Sequence, residues 1–198
     1  MSSRKPGPGR EKLLATAGSL FAASGFDGVS TKQLAAQAGL SIGALYHHFA
    51  TKADLYAAVL EWHLSRIPPP DEGAGEGGGN ARSRLDAQVE WFCSVIAART
   101  VESKLLQLEL LDPHLPMGLA ALPPFAQAFA RFQELMADVA PEADAEETVA
   151  AIVALSFGFA RLGGLKLQAP GFAARNSDPA AIAATAMRIV FGKDHAVH

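Results

Sequence analysis

Between Ser24 and Lys52 the chain carries helix stop and start signals so closely spaced that only short helices fit between them. Gly25 follows a run from Arg10 to Ser24 in which Leu13, Ala17, Leu20 and Phe21 share one face, and a glycine there is placed to end that helix. Ser30, with Gln33 three residues on, makes a capping box for a helix through Ala38, and Gly39 stops it. Ser41 caps a third helix to Phe49, and Thr51 caps a fourth that continues through Asp54, Leu55, Val59 and Trp62 to Arg66. Two short helices joined by a Gly39-Leu40 turn form a helix-turn-helix arrangement, in which the second helix is carried on the first.

The segment Ile67-Pro68-Pro69-Pro70-Asp71-Glu72-Gly73-Ala74-Gly75-Glu76-Gly77-Gly78-Gly79-Asn80 has almost nothing to bury and reads as a linker. As coil it would reach roughly 20 Å. Its glycines are not a phosphate cradle: no strand precedes them, no Gly-Lys-Ser/Thr follows, and acids sit among them. Beyond it the apolar period is again helical. Leu85, Val89, Phe92 and Ile96 mark one helix, Leu105, Leu108 and Leu111 a second that ends before Pro113, and Phe125, Phe129, Phe132 and Met136 a third that ends at Pro141. Two apolar helices follow, near Glu146 to Gln168 and Ala180 to Phe191. No segment alternates as a strand would, so the chain is predicted to be all-α: a helix-turn-helix module over 1–66, a Pro/Gly linker over 67–80 and a larger helical domain over 81–198.

Charge is divided along the same line. The whole chain has a net charge of −3. Up to Arg66 there are seven Lys or Arg against four acids, a net +3, which leaves −6 for the remainder. A polyanion would therefore meet the first part and not the second. With 49% hydrophobic residues but no long apolar run, no membrane span is expected. The basic start lacks the apolar core of a secretory signal, which makes the cytoplasm the expected location. Cys93 is the single cysteine, so no intrachain disulfide, CxxC pair or cysteine zinc site can form. The sequence has no GxSxG, HExxH or nucleotide loop, and the adjacent His47 and His48 point about 100° apart on a helix, poor geometry for a shared metal. Neither an enzyme nor a metal or cofactor is expected.

In the helix after Ser41, spacing turns Ile42, Leu45 and Phe49 toward a core with Leu34, Leu55 and Phe21, leaving Gly43, Ala44, His47 and part of Tyr46 outward. The small Gly43 and Ala44 let that helix approach DNA closely, to meet a thymine methyl or a phosphate. The hydroxyls of Ser30, Thr31, Ser41 and Tyr46 and the charge of Lys52 surround this face and suit phosphate contact. Lys52 opposes the dipole at the start of its helix, and a nearby phosphate would account for it.

The run Phe26-Asp27-Gly28-Val29-Ser30-Thr31-Lys32-Gln33-Leu34-Ala35-Ala36-Gln37-Ala38-Gly39-Leu40-Ser41-Ile42-Gly43-Ala44-Leu45-Tyr46-His47-His48-Phe49, then Thr51-Lys52-Ala53-Asp54-Leu55, resembles the DNA-binding signature of TetR-type repressors. The resemblance covers about the first third of the chain. It implies a dimeric, ligand-responsive repressor acting on a double-stranded DNA operator. It places phosphate contacts at Thr31, Tyr46, His48 and Lys52, and groove contacts at Ser41, Ile42, Gly43, Ala44 and His47. Arg4, Lys5, Arg10 and Lys12 read equally as a solubilising arm and as a basic tail that reaches the adjacent minor groove. Ile42 and Ala44 stand where many members place polar side chains, so DNA shape would do more of the discriminating. The alternatives are an activator of the same fold and an all-helical adaptor that binds only protein; the adaptor leaves the bare helix face unexplained.

In the second domain Trp91, Phe92, Phe125, Phe129, Phe132, Met136, Phe157 and Phe159 supply enough surface to line an apolar cavity, though helix packing alone accounts for any one of them. The resemblance implies a pocket for a small, mainly apolar effector, with Trp91, Phe92, Val95, Leu108, Phe125, Phe129, Phe132 and Phe157 as candidate lining. Glu90, Glu102, Glu109, His63 and His114 are candidate polar anchors. Val149, Ile152, Val153 and Phe157, then Ile182, Ala186, Ile189 and Val190, with Gly163-Gly164, suit self-association through a four-helix bundle in a two-fold homodimer. The effector signal would pass through packing of the first and fourth helices, Trp62 included, against the helix around Leu105 to Leu111.

Overall fold

The computed structural model describes residues 8–70, 80–111, 123–162 and 178–192. They form helices α1 (Pro8–Ser24), α2 (Thr31–Ala38), α3 (Ile42–His48), α4 (Lys52–Leu64), α5 (Ala81–Ala97), α6 (Val101–Leu111), α7 (Pro123–Val139), α8 (Ala145–Leu162) and α9 (Pro179–Phe191), and no strand is found among the described residues. The all-α reading holds. α1 begins two residues earlier than its periodicity indicated, with Pro8 in its first turn, where a missing N–H costs nothing. α4 stops at Leu64 rather than Arg66, because Ser65 closes it and Arg66 and Ile67 bond back to His63 and Leu64 in a tight turn. The final part of the helix expected to reach Gln168, the Gly163-Gly164 pair, the arm residues Arg4 and Lys5, and His114 lie outside the described residues.

The chain divides into two compact units. The first holds α1 to α4 together with α6; α1 packs on α2, α4 and α6, α2 on α3, and α4 on α6. The division by sequence put the residues of α6 with the second domain, whereas in space they cluster with the helix-turn-helix module. Leu13, Leu14, Phe21, Leu34, Leu45, Leu55, Tyr56, Leu60 and Leu105 are fully buried in this unit. At its centre Tyr56 meets the edges of Phe21 and Phe26, with ring centroids 5.0 and 5.1 Å away, and Phe21 and Phe26 stack at 6.0 Å. Such ring pairs add about 0.5–1.5 kcal/mol each beyond the area they bury.

The second unit holds α5, α7, α8 and α9, with α9 packed on α5 and α8. Its core is Leu85, Val89, Cys93, Phe132, Leu135, Met136, Ile152, Ile182, Ala183 and Met187. This corrects the self-association face: Ile152, Ile182 and Ala186 are buried within the unit's own core, Val149, Val153 and Val190 are half-buried, and Ile189 alone of that set is exposed, at 56%. The apolar period marked the inward stripe of α8 and α9, not a free one. Cys93 shares a 3.2 Å hydrogen bond with Ser156, and burial pushes its thiol above the ordinary value although that bond pulls the other way.

Candidate nucleic-acid interface

α2 and α3 are short helices held by side-chain caps. Ser30 Oγ accepts from Gln33 N–H at 3.2 Å, while Gln33 Oε1 accepts the Ser30 N–H at 2.9 Å, so the capping box is closed in both directions. α2 ends at Gly39, whose φ of +72° lets its N–H reach Ala36 and the Leu40 N–H reach Ala35. Two residues later Ser41 Oγ accepts the Ala44 N–H at 3.1 Å and starts α3. Thr51 and Asp54 repeat the closed box at α4. A helix of seven residues has little stability of its own, so these caps and one buried stripe decide where it sits.

That stripe is Leu45, fully buried, and Phe49 at the C-cap, 6% exposed. Ile42 does not join it. The helical spacing put Ile42 in the core, but it is 45% exposed, at the first position of α3. Ile42 therefore lies on the outward face with Ser41, Gly43, Tyr46, His47 and His48, all exposed, beside the half-buried Ala44. A side chain at Gly43 would meet only open space and the Ser41 hydroxyl, so the backbone is bare here. Tyr46, 48% exposed, shares a 3.3 Å hydrogen bond between its hydroxyl and Thr31 Oγ1, tying α3 to the first residue of α2. No side chain of α3 is an Arg, Lys, Asp or Glu. The candidate groove and phosphate residues thus lie on one side of one short helix and on the adjoining starts of α2 and α4.

Lys52 has a partner that the sequence did not disclose. Its Nζ sits 4.3 Å from the centre of the Phe26 ring, which offers a reason within the fold for a cation at a helix start. Arg10 likewise lies over Phe49, at 5.3 Å. No sequence period links Phe26 to Lys52, since the pairing depends on how α4 returns across the chain after α1.

Two of the candidate polar anchors pair with each other. His63 on α4 and Glu102 on α6 are 2.7 Å apart, with His63 buried and Glu102 largely so. Burial pushes the Glu102 carboxyl up, but the hydrogen bond from His63 and neighbouring bonds outweigh it and leave it below the usual carboxylate value. The other ring nitrogen of His63 is buried without a hydrogen-bond partner among the described residues and faces Gly18 of α1, where any Cβ would collide with the ring. The candidate effector residues are dispersed: Leu108 belongs to the first unit, Phe132 to the core of the second, and Phe129 is 38% exposed. Trp91, Phe92 and Val95 are half-buried, Phe125 and Phe157 are buried, and the Trp91 and Phe125 rings lie 6.4 Å apart.

Comparison with known proteins points the same way. Residues 13–59 match the model of the bacterial regulatory proteins of the tetR family. The chain is 34% identical over 87 residues to the HTH-type transcriptional activator FasR of Mycolicibacterium smegmatis, covering 44% of this chain and 40% of FasR. It is 33% identical over 63 residues to the HTH-type transcriptional repressor AcnR of Corynebacterium glutamicum, covering 32% and 34%. The chain thus spans about two fifths or less of the length of these curated relatives. The fold extends further: the crystal structure of AibR in complex with isovaleryl coenzyme A and operator DNA superposes with a TM-score of 0.67 at 16% identity, covering 92% of this chain and 98% of AibR. A capped helix-turn-helix with a bare outward face thus lies inside the segment that matches the tetR family model, on a fold that AibR shares along most of the chain.

Proposed function

We propose that this chain is a ligand-responsive transcriptional repressor that binds an inverted-repeat operator as a homodimer and is released by a small, mainly apolar effector. The observation that carries this reading is the outward face of α3: six exposed or half-exposed positions with no Lys, Arg, Asp or Glu among them, tied to α2 by the Thr31–Tyr46 bond, within the matched segment. A helix so stripped fits the major groove, about 12 Å wide, with the hydroxyls and Lys52 set against the flanking phosphates. Two copies would place their α3 helices about 34–36 Å apart, in successive grooves of one DNA face. Ile189, the large apolar side chain exposed on α9, supports a copy-to-copy contact there.

The effector coupling in this reading runs through α6, which packs on both α1 and α4 and holds His63 through Glu102. A shift of α6 would then reach the module directly, without transmission along the Pro/Gly linker; a coupling of about 1–3 kcal/mol suffices to change operator occupancy. The reading includes no catalytic step, and a cytoplasmic location goes with it. Among the described residues no helix is long and apolar enough to cross a membrane.

Selection of bound duplexes from a random DNA pool at two salt concentrations tests it. An enriched inverted repeat whose affinity falls steeply with salt is the expected result. Absence of any enriched duplex would overturn the reading in favour of a protein-binding adaptor. FasR is named an activator and AcnR a repressor, so the sign is read separately, from a reporter carrying the enriched site.

A further inference from the structure

Ile42 is out of place as a core residue and well placed as a reader. Among the described residues of α1 to α4, the large apolar side chains left exposed are Ile42 and Tyr46. They are one turn apart on α3, so they form a single ridge on its outward face. Isoleucine is branched at Cβ and stiff about its first torsion, which fixes where its methyl groups stand. The bare Gly43 beside it removes the bulk that would hold the backbone away from a groove floor.

The polar side chains around the start of this ridge are engaged within the fold, while the exposed His47 and His48 lie in the last turn of α3. Ser41 Oγ accepts the Ala44 N–H, Gln33 Oε1 accepts from both the N–H and the hydroxyl of Ser30, the Tyr46 hydroxyl is bonded to Thr31, and Lys52 lies over Phe26. α3 carries no Arg, Lys, Asn or Gln, the side chains that make paired hydrogen bonds to guanine or adenine edges. What remains at the start of α3 is apolar, and the major groove offers one apolar group, the 5-methyl of thymine.

We propose that Ile42 reads a thymine in each operator half-site through its 5-methyl group, and that this apolar contact supplies sequence discrimination at the start of α3. The inference rests on the DNA-binding reading above and adds the base that the site takes.

The test uses the full chain and the enriched duplex. Each thymine of the half-site is replaced in turn by deoxyuridine, which deletes the methyl and keeps every hydrogen-bonding group. At one position the wild-type protein loses about fourfold in affinity, the factor that corresponds to burial of one methyl group. Ile42→Ala binds the thymine and uracil duplexes alike, and Ile42→Val retains most of the difference. Because Ile42 is exposed, both variants are expected to melt with the wild type, which circular dichroism checks. A half-site without methyl-sensitive thymine, or a sensitivity that persists undiminished in Ile42→Ala, overturns the inference and leaves the DNA-binding reading standing. A pool without any enriched duplex overturns both.

Discussion

The two units use their aromatic side chains differently. In the first, Phe21, Phe26 and Tyr56 touch one another at defined angles, and the outer face of Phe26 carries Lys52. In the second, Phe132 lies among aliphatic residues, Phe129 is 38% exposed, and the Trp91 and Phe125 rings tilt at a looser 6.4 Å. The helices differ in the same sense. α2, α3 and α4 are each closed by a serine or threonine cap, two of them in full boxes, whereas the longer α7 runs seventeen residues on a strong apolar stripe. Short helices that must present a face to solvent need directional contacts to fix them, while long ones are held by burial.

The sharpest way to break that contrast is to delete one ring. Phe21→Ala is expected to cost about 4 kcal/mol in denaturant unfolding, since it opens a cavity and removes two ring contacts, and Met136→Ala in the second unit about 2–3 kcal/mol. Equal losses would mean that ring geometry adds nothing to burial. Gly18→Ala comes next, at about 2–3 kcal/mol, because a methyl group there must displace the buried His63 from Glu102. A near-neutral result would show that α1 and α4 can part to admit it.

Removing a cap tests the other half of the comparison. Thr51→Ala should lose about 1 kcal/mol, and Asn80→Ala at the start of the longer α5 no more than that. The smallest effect depends on pH. The Glu102 carboxyl is held below its ordinary value, so its contribution is present above the unfolded carboxylate range and is lost as the pH falls through the folded value. Wild type should therefore exceed Glu102→Gln in melting temperature at neutral pH, and the gap should close in acid; a gap that stays constant would refute the pairing with His63.

Much of the first unit was legible because its determinants are local. A cap, its partner three residues on and a terminating glycine all lie within one or two turns of chain, and the structure forms each of them at Ser30, Gly39, Ser41 and Thr51. Ile42 shows where period alone misleads: at the first position of a helix the spacing to Leu45 is correct, yet Leu45 is buried and Ile42 is 45% exposed. Partnerships across the fold were not legible. Phe26 with Lys52, His63 with Glu102 and Cys93 with Ser156 join residues 26, 39 and 63 positions apart, and only chain topology brings them together. For the same reason Ile152 and Ile182 read as a free face when they are core.

Lys52 over Phe26 and Arg10 over Phe49 are cations whose long side chains are already seated. An ordinary surface lysine gives up rotamer entropy, up to about 2 kcal/mol, when a phosphate captures it. A lysine parked on a ring has surrendered part of that freedom during folding, so in the proposed complex its charge meets the backbone of DNA with less left to lose. Phe26→Leu would then leave the number of phosphates neutralised, and hence the slope of affinity against salt, unchanged, while shifting the whole line toward weaker binding. The aromatic core of the module would thus act on a polyanion that it never touches.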